Sequence, residues 1–406
     1  MKIVLIVPEF PALSESFIVN KFVGLLQKGL DVHVMCQVSK RDEIKRFSQL
    51  DGWKDWHARV STFFPVAPRW IVPMWVPFVL VWILIVCPLR TVRYLRSIAG
   101  VGIMESLRRL YLDAPLVRIK PDILHYEFGT LAQNKMYLRE ALGCRIMVSF
   151  RGFDISYAGL EDRTYYVETW RTADRLHFLG DDLLKLARTR GYNGPDKHVL
   201  IPPSIDHRFF EPGQLRDGAV CGTPDRPLRI LSVGRLAWKK GYEFALAAVS
   251  RIAKRGVLFQ YTIVGDGEFF EGLAFAVHQY GLDGKVTLDG KQRPEAVREK
   301  MVNADIFLHA AVSEGFCNAV LEAQAMCLPV VCSDAAGLRE NVVDNVTGFV
   351  TPRRDPEAMA ICLEKLAKDP GLRDQLGQAG RKRILAHFRL EDQIEKFVEL
   401  YSAIKS

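Results

Sequence analysis

V-S-E-G-F-C-N-A-V-L-E-A-Q-A-M-C-L-P-V-V-C-S-D, from Val312 to Asp334, carries two carboxylates eight residues apart, Glu314 and Glu322. Gly315 gives the intervening loop freedom, and Asn318 is well placed to cap a helix. The run A-V-L-E-A-Q-A-M that follows is rich in helix formers, and Pro329 ends it before the apolar strand P-V-V-C. Glu314 therefore falls on the loop entering a helix, and Glu322 about one turn inside it. A carboxylate beside a helix N-terminus can meet sugar hydroxyls, the helix end favours a phosphate, and the second carboxylate suits a ribose diol. Alone, such a pair reads more simply as a solvated loop Glu and an ordinary helical Glu. The neighbouring segments reverse that reading.

Upstream lie L-S-V-G-R-L-A-W-K-K-G (Leu231 to Gly241) and Y-T-I-V-G-D-G-E (Tyr261 to Glu268); downstream lies D-A-A-G-L-R-E-N-V-V-D-N-V-T-G-F-V (Asp334 to Val350). With the opening stretch, these segments resemble the retaining family 4 glycosyltransferases and their E-x7-E signature, in the family's order and spacing. The N-terminal half matches more loosely. F-P-A-L-S-E-S-F-I (Phe10 to Ile18), H-Y-E-F-G (His125 to Gly129) and S-F-R-G-F-D-I-S (Ser149 to Ser156) resemble bacterial exopolysaccharide transferases of the colanic-acid type. The resemblance implies an α/β chain of the GT-B fold: two Rossmann-like domains facing a cleft, with an apolar and basic helical insertion in the first. The expected divisions are an acceptor domain at 1–208 with the insertion at 69–118, and a linker at 209–227. A nucleotide-sugar domain at 228–385 follows, then a C-terminal helix at 386–406 that packs back on the first domain.

At 406 residues, with 49% hydrophobic and 25% charged residues, the chain has room for two ordinary globular domains. Its eight cysteines show no C-x-x-C pair or zinc spacing and read as buried thiols in a reducing compartment. Met1 leads directly into the strand K-I-V-L-I-V, so a cytosolic protein, or one working at the cytosolic face of a membrane, is expected. Residues 1–210 hold 29 Lys and Arg against 21 Asp and Glu, while residues 211–406 hold 26 of each. The basic half argues for an anionic partner: a lipid surface, a diphosphate or nucleic acid. No basic run is interleaved with aromatics in a nucleic-acid module pattern, so no nucleic-acid partner is expected.

The opening β-loop-α-β pattern is a Rossmann-type unit without the G-x-G-x-x-G fingerprint, which argues against a dinucleotide cofactor. Its first loop carries Ser14 and Glu15, assigned to the acceptor side. From Trp70 to Leu89 the chain has 20 uncharged residues, a length that alone reads as a transmembrane helix. Pro73, Pro77 and Pro88 interrupt it, and strands of one sheet lie on both sides in sequence, so it must enter and leave on one face. Val92, Leu95, Ala99, Ile103, Ser106 and Leu110 then form one stripe, with Arg93, Arg96, Arg108 and Arg109 off it, as in a basic amphipathic helix. The expected reading is a monotopic membrane dock; a hairpin buried in the protein or a dimer, and a true span, are the alternatives.

Two strand ends present His125 with Glu127, and Arg151 with Asp154, where open α/β sheets bind ligands. The alternatives are a packing role for His125 and an Arg151–Asp154 salt bridge. Family members often carry histidines where Glu127 and Arg151 stand; by the resemblance His125 and Arg151 join the catalytic set, with Glu127 and Asp154 on the acceptor side. In the second domain Gly234 lets the backbone approach a phosphate, and Arg235 and Lys240 can grip a diphosphate from two sides. The resemblance adds Gly265, Leu288 (where the family's backbone holds the base), Phe316, Cys317, Asn318 and Ala319 to Glu314 and Glu322 as donor-binding positions. No D-x-D or H-E-x-x-H occurs, so no metal and no cofactor is expected beyond a UDP- or GDP-linked sugar. Arg235, Lys240 and helix ends would then meet the charge on the leaving diphosphate, with Glu314 positioning the sugar. The implied function is sugar transfer, with retention, to a polyprenyl-diphosphate-linked glycan acceptor in polysaccharide biosynthesis. A sugar-nucleotide epimerase on the same fold and a non-catalytic membrane scaffold are the competing readings.

Overall fold

The computed structural model describes residues 1–12, 15–40, 50, 56–65, 71–194, 196–213 and 218–405. The chain forms two compact units: Met1–Phe178 with Leu184–Ile201 and Ile394–Ser406, and Leu179–Leu183 with Pro202–Gln393. Each is built on its own parallel sheet.

The first unit contains β1 (Lys2–Phe10), β2 (Asp31–Ser39), β3 (Val60–Thr62), β4 (Ile123–Tyr126), β5 (Arg145–Phe150), β6 (Arg175–Phe178) and β7 (His198–Leu200), ordered β3-β2-β1-β4-β5-β6-β7. Ile3, Val4, Leu5, Ile6 and Val7 are all buried, as a strand covered on both faces requires. The strand runs past Pro8 to Phe10, pairing Glu9 with Val38 and Phe10 with Ser39. Helix α1 (Ser16–Gln27) follows that loop. Ser14 lies outside the described residues.

The insertion is three helices: α2 (Val72–Val86), α3 (Pro88–Ile98) and α4 (Ile103–Ile119). Among the described residues no helix is long and apolar enough to cross a membrane. The single amphipathic stripe expected from Val92 to Leu110 is not formed. The helix breaks at Ala99–Gly102, and α3 buries Thr91, Tyr94 and Ile98 while Val92 faces out. Tyr94 sets that rotation by donating to the buried Asp113 of α4 at 2.8 Å, a carboxylate that also accepts from Tyr137 and, at 2.9 Å, from Lys135.

The second unit contains β8 (Leu228–Val233), β9 (Phe259–Val264), β10 (Val286–Leu288), β11 (Ile306–His309), β12 (Val330–Ser333) and β13 (Gly348–Thr351), in the order β10-β9-β8-β11-β12-β13. Helix α5 (Tyr242–Lys254) follows β8 and α6 (Asn318–Ala325) follows β11. The strand order reverses between β8 and β11, which pair Ile306 with Ile230 and Phe307 with Leu231. The carboxyl ends of these two strands flank the crevice where open α/β sheets take ligands. The C-terminal helix α7 (Leu390–Lys405) enters the first unit at Ile394 and buries Ile394, Phe397, Leu400 and Tyr401. Ile394 packs so closely on Gly24 of α1 that a Cβ there would lie 2.7 Å from it.

Candidate functional site

Gly234 and Arg235 leave the end of β8, and His309 ends β11 beside it. The loop after β8 turns through Trp238–Lys240 and is tied to the loop carrying Glu314, because the Lys239 carbonyl accepts from the amides of Val312 (2.9 Å) and Ser313 (3.3 Å). Two glycines make the close packing possible. A Cβ on Gly265, at φ +150°, would lie 1.9 Å from the Gly234 carbonyl oxygen, and one on Gly337, at φ +80°, 2.1 Å from that of Gly315.

Lys240 makes a salt bridge to Glu314 Oε2, and His309 Nε2 lies 3.4 Å from the same oxygen. Among the described residues Oε1 has no hydrogen-bond partner and is left to a ligand. Burial alone would raise the Glu314 carboxyl, but Lys240 and His309 win and hold it at about 2. Burial works against the charged His309 too, yet the Cys317 sulfur and Glu314 carry it up to about 9. Burial opposes the Lys240 ammonium, and Glu314 raises it nonetheless. The result is a carboxylate that stays ionised, in a fixed orientation, between two cations. His309 escaped the sequence reading; its one signal was a polar residue at the carboxyl end of an apolar strand, five before Glu314.

Glu322 has a different environment. Among the described residues it has no cationic partner, and burial pushes its carboxyl up to about 7. Arg235 is exposed and pairs with no carboxylate among the described residues, so its guanidinium can take an anion. Asn318 does not cap α6: it is the first helical residue, Cys317 holds the cap position, and there is no side-chain cap bond. The asparagine that orders this turn is Asn341, which accepts from the Cys317 amide and donates to the Cys317 carbonyl, both at 3.0 Å. The Cys317 amide is thereby occupied, and its side chain is buried with that of Phe316. Asn318 and Ala319, half-buried, supply helix-terminal amides with no intrahelical acceptor. Leu288 is the last residue of β10, half-buried beside the Gly265–Gly290 hydrogen bond of 2.9 Å. Ligand atoms of His309, Glu314 and Cys317 lie within 4.8 Å of one another, the one such metal-capable group among the described residues. Lys240 already sits on that carboxylate.

In the first unit the reversal of strand order lies between β1 and β4. Glu15, half-buried, stands on the loop after β1; Glu127 follows β4 directly. Glu127 is buried, accepts from Lys21 at 2.6 Å and from Arg151 Nη2 at 2.8 Å, and these cations hold it well below the usual carboxylate range against its burial. Arg151 therefore pairs with Glu127, and Asp154 instead accepts from the Arg151 and Thr130 amides, at 2.9 and 3.0 Å, inside the fold. Glu127 and Asp154 are interior groups, each already engaged by neighbouring donors.

His125 is likewise buried. His177 Nε2 faces the Ile201 carbonyl at 2.8 Å, so it must donate; His177 Nδ1 then accepts from Ser149 (2.7 Å), and Ser149 accepts from His125 Nε2 (2.7 Å). This leaves His125 Nδ1 as acceptor for the Tyr401 hydroxyl at 2.6 Å, with Lys21 at 3.1 Å. Burial and Lys21 keep His125 well below the usual histidine range, hence neutral. With both nitrogens engaged, His125 cannot receive a proton from an acceptor, and its role is packing and support of α7. Replacing Glu127 with alanine would strand the Lys21 ammonium, 4% exposed, in the interior. A loss of about 3–5 kcal/mol is expected, seen as a fall of roughly 10 °C in Tm by calorimetry. An unchanged Tm would mean the pair is not buried in solution.

Residues 218–383 match the family described as "Glycosyl transferases group 1". Over 400 residues the chain is 27% identical to the amylovoran biosynthesis glycosyltransferase AmsK of Erwinia amylovora, covering 91% of each protein. It is 25% identical over 384 residues to the putative colanic acid biosynthesis glycosyltransferase WcaL of Escherichia coli K12, covering 89% of each. Among solved structures, sucrose-phosphate synthase of Thermosynechococcus elongatus superposes with a TM-score of 0.72 at 20% identity, covering 100% of this chain and 99% of that one. Anabaena Alr3699/HepE, solved with UDP and glucose, gives 0.72 at 14% identity, covering 99% and 100%.

Proposed function

We propose that this chain, whose residues 218–383 match the group 1 glycosyltransferases and whose relatives serve exopolysaccharide biosynthesis, moves a sugar from a UDP- or GDP-sugar to a glycan acceptor with retention. The acceptor is a hydroxyl of a polyprenyl-diphosphate-linked glycan, met at the cytosolic face of the membrane. The observation that supports this most is the convergence of Gly234–Arg235, Lys240 and the Glu314 loop at the reversal of strand order in the second unit. Arg235 and Lys240 take the diphosphate, Glu322 the ribose, and Glu314 Oε1 the sugar hydroxyls. The acceptor oxygen bonds to the anomeric carbon on the face from which the diphosphate departs, and the hydroxyl proton goes with the diphosphate. The negative charge that develops there is met by Arg235, Lys240 and the α6 N-terminus. The proposed reading uses no metal in that role.

A thermal-shift series with UDP-, GDP- and ADP-sugars, each with magnesium and with a chelator, tests the reading. A clear rise in Tm for one nucleotide class, equal in both conditions, is expected. A rise that needs magnesium would overturn the metal-free assignment, and flat curves throughout would overturn the donor site.

A further inference from the structure

Eleven of the 27 large hydrophobic side chains exposed among the described residues fall within residues 74–104. On α2, Met74, Phe78, Val81 and Ile85 repeat at intervals of four, three and four, so they form one helical stripe, with Phe78 71% and Ile85 77% exposed. Val76, Val79 and Ile83 form the opposite, buried stripe. The outward stripe is therefore no misplaced core: the helix already has an inward face, and it packs on α4. After the break at Cys87 the exposed face of α3 begins with Leu89, 86% exposed, and carries Arg93 and Arg96 at helical spacing from it.

The charges decide what covers this face. From Trp56 to Met104 the sequence holds five arginines and no Asp or Glu. Arg90, Arg93, Arg96 and Arg118 are exposed and pair with no carboxylate among the described residues. A second copy docking through the same face would bring arginine rim against arginine rim, which repels in a two-fold interface. An anionic bilayer offers what the face lacks, apolar chains under a sheet of phosphates. Crossing is excluded by length, because α2 spans about 22 Å at 1.5 Å per residue against roughly 30 Å of hydrocarbon.

We infer that α2 and the start of α3 lie in the interface of an anionic membrane, with Phe78, Ile85 and Leu89 in the acyl boundary and Arg93 and Arg96 on lipid phosphates. Its purpose rests on the proposed lipid-linked acceptor, but its evidence does not. Sedimentation of the full-length protein with vesicles of phosphatidylcholine, with and without about one-third phosphatidylglycerol, tests it. Binding at least roughly tenfold tighter to the anionic vesicles is expected, since each arginine near the surface contributes about fivefold. The variant Arg93→Gln/Arg96→Gln should lose most of that preference, and Phe78→Ser/Ile85→Ser/Leu89→Ser should bind neither vesicle. Equal binding to both vesicles, or a dimer in sedimentation equilibrium that ignores them, would overturn the inference. The sugar-nucleotide thermal shift must persist in the serine variant: its retention verifies the fold, and its absence in the unaltered protein would count against the donor site and leave the docking face standing.

Discussion

Lys240→Ala is expected to lower kcat/KM for sugar transfer by about 100- to 1000-fold, the cost of removing one preorganised charge from a developing diphosphate. The side chain sits in the turn Trp238–Lys240, and the Lys239 carbonyl of that turn binds the backbone of the Glu314 loop, so the ammonium is held before any substrate arrives. The substitution removes two things at once. The diphosphate loses a partner, and the Glu314 carboxylate keeps only His309 at 3.4 Å. The Glu314 carboxyl should therefore titrate above its value of about 2, giving the pH–rate profile of the variant an acid limb that the unaltered enzyme lacks. Circular dichroism should be unchanged, since Glu314 retains one cation and some solvent. Undiminished turnover in a folded Lys240→Ala protein would remove Lys240 from the diphosphate site. His309→Leu separates the two effects: it should bring the acid limb with a much smaller loss of rate, because the diphosphate contact survives.

Donor affinity should rise about tenfold between pH 6 and pH 8, and Glu322→Gln should abolish the slope while weakening binding by roughly 10- to 100-fold. The sign follows from burial. With no cation beside it, the Glu322 carboxyl is pushed up to about 7, so it is mostly protonated at pH 6 and mostly ionised at pH 8. The ionised form accepts from both hydroxyls of a ribose diol, one on each oxygen and both charge-assisted, whereas protonation turns one oxygen into a donor and weakens the pair. Glu314, held at about 2, is ionised throughout and contributes no slope. Isothermal titration with the nucleotide sugar identified by thermal shift, at fixed ionic strength, reads both quantities. A flat profile in the unaltered protein, or a slope that persists in Glu322→Gln, would mean the diol is bound elsewhere.

Residues close in sequence already specified much of this protein. The alternation of buried strands with helices, the loop position of Glu314 and the helical position of Glu322 follow from propensity, proline and glycine, which act over a few residues. The Gly234–Arg235 pair after a buried strand marked the corner proposed for the diphosphate for the same reason. Even so, the Asn318 capping reading missed by one position, because the bond that fixes the turn comes from Asn341, 24 residues away from Cys317. Tertiary packing alone decided the states of the charged groups. His125 and Glu127 stand at the end of a strand where ligands commonly bind, yet Tyr401, 276 residues on, and Lys21 close over them and make them interior. The insertion divides in the same way. Its prolines and glycines announce a broken apolar segment, while Tyr94 finding Asp113 determines which side of α3 turns in and which faces out. A residue's backbone preference is set by its neighbours in the chain, but its burial and charge are set by whatever the fold brings against it.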